Sequence, residues 1–191
     1  MSTPSEGSPR GAAPRSEGDR LLHAGRVFDL VERASSGPGG HAWAAEVVLH
    51  PGAVAVVALD ESGRVLVVEQ ERPALQARTL EIPAGRLEPG EDPREAAARE
   101  LEEETGLRAE SLTLLHTVWP APGFCSEQVH LFEARGLRPA GPDRLQPDAD
   151  EDLVVRWSSP AELIAQRPVD AKTLLAALHA QGSPIGHAPA R

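Results

Sequence analysis

The chain has 191 residues and carries 19 Lys+Arg against 29 Asp+Glu, a formal net charge of −10; the size suits one domain with a small appendage, and the acidity disfavours binding polyanions by neutralising their phosphates. With 40% hydrophobic and 25% charged residues, no Tyr, three Phe and three Trp, the composition predicts a globular protein with a mostly aliphatic core. The longest apolar run, residues 53–59, is far below the ~20 of a membrane-spanning helix, no signal-peptide core is present, and the lone Cys125 fits a reducing cytoplasm, so neither membrane nor nucleic acid is expected as a partner.

Residues 1–19 are almost entirely Ser, Pro, Gly, Ala and charge, too poor in apolar surface to offset chain entropy, and are expected to form a disordered tail. Strands are predicted at residues 26–31 and 43–49, separated by a loop at 35–40, so that residues 20–50 form an N-terminal β region. A hairpin follows, residues 53–59 and 64–69 around Asp60-Glu61-Ser62-Gly63, and then a short strand at 79–82. The first helix is expected at 93–105: Asp92 serves as N-cap, Pro93 takes the first position, Glu95 completes a capping box, and Gly106 follows the last turn. Its core side is assigned to Ala98, Leu101 and Thr105. Strands are predicted at 112–118, 129–133 and 153–157, and Ser159-Pro160-Ala161-Glu162 starts a second helix. A third helix at 170–181, ended by Gly182, should bury Leu174, Leu175 and Leu178, and residues 183–191 read as a flexible tail. This order predicts the α+β class, a mixed sheet sandwiched between helices, with the main domain over 51–182.

The chemistry lies on the first helix. Glu100, Glu103 and Glu104 fall at i, i+3 and i+4, so three carboxylates share one face within about 5–6 Å and repel one another. A compensating cation is implied, and hard oxygen donors without Cys or clustered His favour Mg²⁺, Mn²⁺ or Ca²⁺ over zinc. Taken alone, the same face is equally that of a solvated acidic helix with Arg99 paired to Glu103.

From Gly85 the chain reads GRLEPGEDPREAAARELEEETGL, matching Gly-x5-Glu-x7-Arg-Glu-U-x-Glu-Glu-x-Gly-U, where U is apolar, with Gly85, Glu91, Arg99, Glu100, Leu101, Glu103, Glu104, Gly106 and Leu107 in the fixed places. This box resembles the signature of the Nudix hydrolase family. The resemblance implies a loop-helix-loop on an α/β/α sandwich and metal-assisted hydrolysis of a nucleoside diphosphate joined to another group. It implies Glu100 and Glu104 as principal ligands of Mg²⁺, for which Mn²⁺ can substitute, Glu103 as a ligand or a support, and the Ala84 backbone carbonyl as a further donor. Glu91 and Arg99, with Gly85 and Gly106, are then structural. Such chemistry suits an acidic chain, because divalent cations let carboxylates and an anionic pyrophosphate share one site.

Glu69-Gln70-Glu71-Arg72, Leu80-Glu81-Ile82-Pro83-Ala84-Gly85 and Pro120-Ala121-Pro122-Gly123-Phe124-Cys125-Ser126-Glu127 resemble the ADP-ribose pyrophosphatase branch of that family. By this resemblance Arg72 and Glu81 contact substrate and Glu127 lies near the terminal ribose. The Tyr usual before the Arg is Glu71 here, so no stacking is expected there. The general base is expected in the acidic loop 148–152, at Glu151, with Asp148 and Asp150 as alternatives. Domain-swapped homodimers are implied, in which residues 20–50 complete the partner's adenosine site and Phe28 or Trp43 stacks on the base. The expected reaction splits ADP-ribose into AMP and ribose 5-phosphate. Alternatives are another nucleoside diphosphate derivative (a nucleotide-sugar, dinucleotide polyphosphate or oxidised nucleoside triphosphate) or a non-catalytic nucleotide sensor, against which the intact box argues.

Overall fold

The computed structural model describes residues 15–146 and 152–182. Strands β1 (Arg20–Ala24), β2 (Asp29–Ser36) and β3 (Ala42–Leu49) form an antiparallel sheet in that order. The single strand expected at 26–31 is therefore divided: residues 25–28 turn, closed by Gly25 N donating to Phe28 O at 3.0 Å, and the chain has already been extended since Arg20. Residues 15–19, assigned above to the tail, lie against this sheet. Asp29 is 1% exposed and draws Arg15 Nη2 to 2.9 Å, while Arg33 clasps Asp19 through two bonds of 2.8 and 2.7 Å. Buried carboxylates demand cationic partners, and that demand fixes a segment whose composition alone promises no order.

The body is built from β4 (Ala53–Ala58), β5 (Val65–Arg72), β6 (Ala77–Glu81), β7 (Ala84–Arg86), α1 (Pro93–Thr105), β8 (Leu107–Arg108), β9 (Ser111–Val118), β10 (Val129–Arg135), β11 (Arg138–Pro139), β12 (Val154–Ser158), α2 (Pro160–Ala165) and α3 (Ala171–Ala180). One sheet has the order β7-β4-β10-β9, mixed because β10 runs parallel to β4; a second has the order β12-β5-β6, and β11 pairs β8. All six residues of β4 are buried. Ala53, Ala55 and Val57 pack with Leu163 of α2 and Ala176 and Ala177 of α3, whereas Val54, Val56 and Ala58 pack with Ala96, Ala97 and Leu101 of α1. A strand with no polar face means that both of its faces are covered. The result is the expected α+β class with a helix layer on each side. Val57 and Leu101, both fully buried, each contribute about 1.5–3 kcal/mol by leaving water.

Local details differ from expectation where short range sequence is a poor guide to facing. On α1 the buried apolar positions are Ala96, Ala97 and Leu101, and Ala98 is exposed. Asp92 caps α1 by accepting from Arg94 N at 2.8 Å, and among the described residues no reciprocal bond from Glu95 closes a box. The box forms instead at Ser159 and Glu162 of α2. On α3 the buried residues are Thr173, Ala176 and Ala177, with Leu174, Leu175 and Leu178 only partly covered. Small side chains bring this helix close enough for Thr173 Oγ1 to accept from Ile82 N at 3.0 Å. Gly106 ends α1 in the left-handed region at φ 70° and donates to Glu102 O. Among the described residues no helix is long and apolar enough to cross a membrane.

Candidate functional site

The site begins where β7 passes under α1. β7 is three residues long and pairs Ala84 with Ala55 and Gly85 with Val54, which fixes this backbone against the centre of the sheet. Above it, Glu100 and Glu104 occupy successive turns of α1, at 9% and 5% exposure. Glu104 Oε2 accepts from Ala84 N at 3.0 Å. The Glu100 carboxylate lies where a Cβ on residue 85 would stand, so only glycine lets the strand and the helix come this close.

Arg99 organises the rest. Its Nε and Nη2 bind Glu91 at 2.8 and 3.0 Å, its Nη1 binds Glu100 at 2.7 Å and Glu103 at 2.9 Å, and its Nη2 also reaches Arg86 O at 3.1 Å. One guanidinium thus ties the loop before α1, through Glu91 and Arg86 O, to two carboxylates of the helix. The Glu91 carboxyl is held below its usual range, chiefly by Arg99. Arg99 bridges Glu100 and Glu103, and no three acidic, His or Cys side chains among the described residues already converge in metal-binding geometry. The donor set nevertheless fits a hard divalent cation: carboxylate oxygens of Glu100, Glu103 and Glu104 on one helix face, set closely against backbone at Gly85.

Beside this cluster, Arg72 at the end of β5 and Glu81 at the end of β6 form a two-pronged pair, Nε to Oε1 and Nη2 to Oε2, both at 2.8 Å. Glu81 is 5% exposed. Burial pushes its carboxyl up, but Arg72, Lys172 and Thr79 outweigh burial and hold it at about 2. The charge of Glu104 acts on Arg72 as well, which joins the two clusters electrostatically. Lys172, on the first turn of α3, reaches Glu81 at 3.3 Å and Asp170 at 2.8 Å. No local sequence pattern marks Lys172, whose partner Glu81 is 91 positions away.

Glu127 lies across from His50, Oε1 to Nδ1 3.8 Å. Burial pushes the His50 ring down, against the pull of Glu127, and Gly52 N donates to His50 Nδ1 at 3.2 Å, as it does to a neutral ring. The loop that carries Glu127 is fastened to β3, with Val48 N bonding Phe124 O and Ser126 N bonding Val48 O. Phe28 stands at the β1–β2 turn, 40% exposed. Trp43 is exposed on β3. Asp148, Asp150 and Glu151 lie outside the described residues. Glu102, at an unspecified place in the box, is buried on another side of α1. It binds Arg108 at 2.6 and 2.7 Å and accepts from Leu145 N at 2.9 Å, pinning the loop after β11.

The chain matches the model of the NUDIX domain over residues 49–178. It is 40% identical over 166 residues to an ADP-ribose pyrophosphatase of Bacillus subtilis, covering 84% of this chain and 88% of that protein. It is 39% identical over 163 residues to a methanol dehydrogenase activator of Bacillus methanolicus, with the same coverage of 84% and 88%. Among solved structures, an ADP compounds hydrolase superposes with a TM-score of 0.68 at 22% identity, over 90% of this chain and 100% of the other, a likeness of fold. The box at Gly85–Leu107, the sheet with helices on both faces and these matches lead to one assignment: the chain belongs to the Nudix family.

Proposed function

We propose that this protein hydrolyses the pyrophosphate bond of ADP-ribose, releasing AMP and ribose 5-phosphate, with Mg²⁺ as its cation and Mn²⁺ as a substitute. The observation that carries the reading is the packing of the Glu100 and Glu104 carboxylates against the backbone of Ala84 and Gly85, within electrostatic reach of Arg72. Two curated relatives bearing the name ADP-ribose pyrophosphatase, at 40% and 41% identity, support the choice of substrate.

Glu100 and Glu104, with Glu103 and the Ala84 carbonyl, would hold the cation, which supplies acidification of a bound water and offsets charge on the phosphates. Arg99 keeps Glu100 and Glu103 from turning away and braces them to Glu91. Arg72 binds the diphosphate through a planar guanidinium suited to phosphate oxygens. Glu151 takes the proton of the attacking water, and Glu127 meets the terminal ribose. The active form is a homodimer in which residues 20–50 of one chain complete the adenosine site of the other, with Phe28 against the base.

The test is a turnover assay of the purified chain with Mg²⁺ against ADP-ribose, nucleotide-sugars, dinucleotide polyphosphates and an oxidised nucleoside triphosphate. ADP-ribose should be preferred, with AMP and ribose 5-phosphate as products and activity abolished by EDTA. Preference for another member of the panel replaces the substrate. Tight binding of ADP-ribose without turnover would make the protein a sensor, and full activity in excess EDTA would remove the cation from the mechanism.

A further inference from the structure

Glu81 has no acceptor to spare. Its Oε1 takes bonds from Arg72 Nε at 2.8 Å and Thr79 Oγ1 at 2.7 Å, and its Oε2 from Arg72 Nη2 at 2.8 Å and Lys172 Nζ at 3.3 Å. A carboxylate offers about four lone-pair sites, and four donors fill them. A substrate hydroxyl or base edge therefore gains nothing from Glu81 without displacing one of these donors. Arg72 differs: its side chain is 39% exposed against 6% for Glu81, and its third nitrogen, Nη1, takes no part in the pairing. Of the pair, Arg72 faces a ligand and Glu81 holds it.

The fourth donor comes from the first turn of α3. Asp170 caps that helix, its Oδ2 accepting from Thr173 N at 3.0 Å and Thr173 Oγ1 at 2.9 Å, while its Oδ1 accepts from Lys172 Nζ at 2.8 Å. Thr173 Oγ1 in turn accepts from Ile82 N at 3.0 Å. One helical turn thus grips both Glu81 and Ile82, three and two residues ahead of Ala84, and the lysine, 19% exposed, lies between two carboxylates. With Lys172 in place, Arg72 and Lys172 balance Glu81 and Asp170. Without it, two enclosed carboxylates face one guanidinium, which repels a diphosphate and draws Arg72 inward.

We propose that Lys172 is a positioning residue for diphosphate recognition: by filling the last acceptor site of Glu81 and separating it from Asp170, it keeps Arg72 turned toward the substrate. The inference rests on the reading of Arg72 as the diphosphate ligand.

The experiment compares full-length wild type with Lys172→Met, Lys172→Gln and Lys172→Arg. For Lys172→Met and Lys172→Gln, KM for ADP-ribose with Mg²⁺ should rise about 10-fold or more while kcat stays within about 3-fold, the pattern of lost binding rather than lost chemistry. Lys172→Arg, which restores a donor and a charge, should bring KM back to within about 2-fold of wild type. A merely structural lysine would lower the melting temperature in the first two variants and leave KM alone, and that result overturns the proposal. If Lys172→Met fails to fold, Lys172→Gln decides. Should wild type prefer another nucleoside diphosphate derivative, the substrate assignment fails and the KM ratio is read on the preferred compound. Should it turn over none, the ratio of dissociation constants for ADP, by calorimetry, is read instead. No ADP binding by wild type overturns this proposal together with the reading beneath it.

Discussion

Gly85→Ala separates the demand of a side chain from the demand of a backbone. Gly85 sits in β7 paired with Val54, outside the positive-φ region that favours glycine, so alanine fits its backbone. What stands in the way is Glu100, whose carboxylate carbon and both oxygens lie in the space of the new methyl group. Glu100 is 9% exposed and bonded to Arg99 at 2.7 Å, and it must move. Overpacking of this kind costs about 1–3 kcal/mol, and the stiffer unfolded chain returns about 0.4–1 kcal/mol. The net loss, about 0–2.6 kcal/mol, is smaller than the ~5–15 kcal/mol of a typical domain, so the variant should fold. Its chemistry should not survive as well: a displaced ligand should lower kcat/KM for ADP-ribose about 10²-fold or more. AMP release at graded Mg²⁺, alongside a thermal melt, measures both quantities. A variant that melts a few degrees lower yet keeps kcat/KM within about 3-fold of wild type would refute the role given to Glu100 at this position.

Glu104→Gln retains an oxygen to accept from Ala84 N but loses the charge, so turnover should drop about 10²-fold or more while the melting temperature changes little; wild-type turnover would remove Glu104 from the site. Glu151→Gln should lower kcat by about 10²–10⁴-fold with KM little changed, and if Asp148→Asn or Asp150→Asn has that effect instead, the base is that residue. Deleting residues 1–14 should leave the dimer and its activity intact, whereas deleting 1–50 should abolish both, and a fully active monomer by light scattering would exclude the swapped dimer. Glu81 titrates below its ordinary value when folded, so its stabilisation is complete above the unfolded carboxylate range and lost as pH falls from about 4.5 to about 2; the loss is roughly 3 kcal/mol. Glu81→Gln should flatten the melting curve over that interval, and an unchanged acid profile would contradict the pairing.

What could be read from the chain was whatever acts through neighbours in sequence. The caps at Asp92, Ser159 and Gly106 are local chemistry, and the unbroken apolar run of β4 already implies cover on both faces. The spacing of Glu100, Glu103 and Glu104 follows from the helical repeat. Legibility ended where contacts join distant segments. Lys172 meets Glu81 and Thr173 meets Ile82 across 91 positions each; their types, Lys and Thr in the first turn of a helix, carry no signal. β7, β8 and β11 are three, two and two residues long, too short to leave a period. The face of α3 departs from the sequence pattern because leucines normally outrank Thr for burial, yet here small residues gain the close approach that brings Thr173 to Ile82.

A chain at −10 that is proposed to work on a diphosphate has to solve a charge problem, and its two clusters would solve it differently. Around α1, Arg99 bonds Glu91, Glu100 and Glu103, and Glu104 accepts from Ala84 N. One guanidinium orders three carboxylates without matching their charge, which suits the site to divalent cations. Around α3, Arg72 and Lys172 are matched against Glu81 and Asp170, and a balanced group can face an anion without adding repulsion. The same acidity that disfavours binding a polyanion by neutralising its phosphates thus becomes selective here. On the proposed reading, a diphosphate enters with cations on the α1 side, while on the α3 side Arg72, held by a saturated carboxylate, meets it directly.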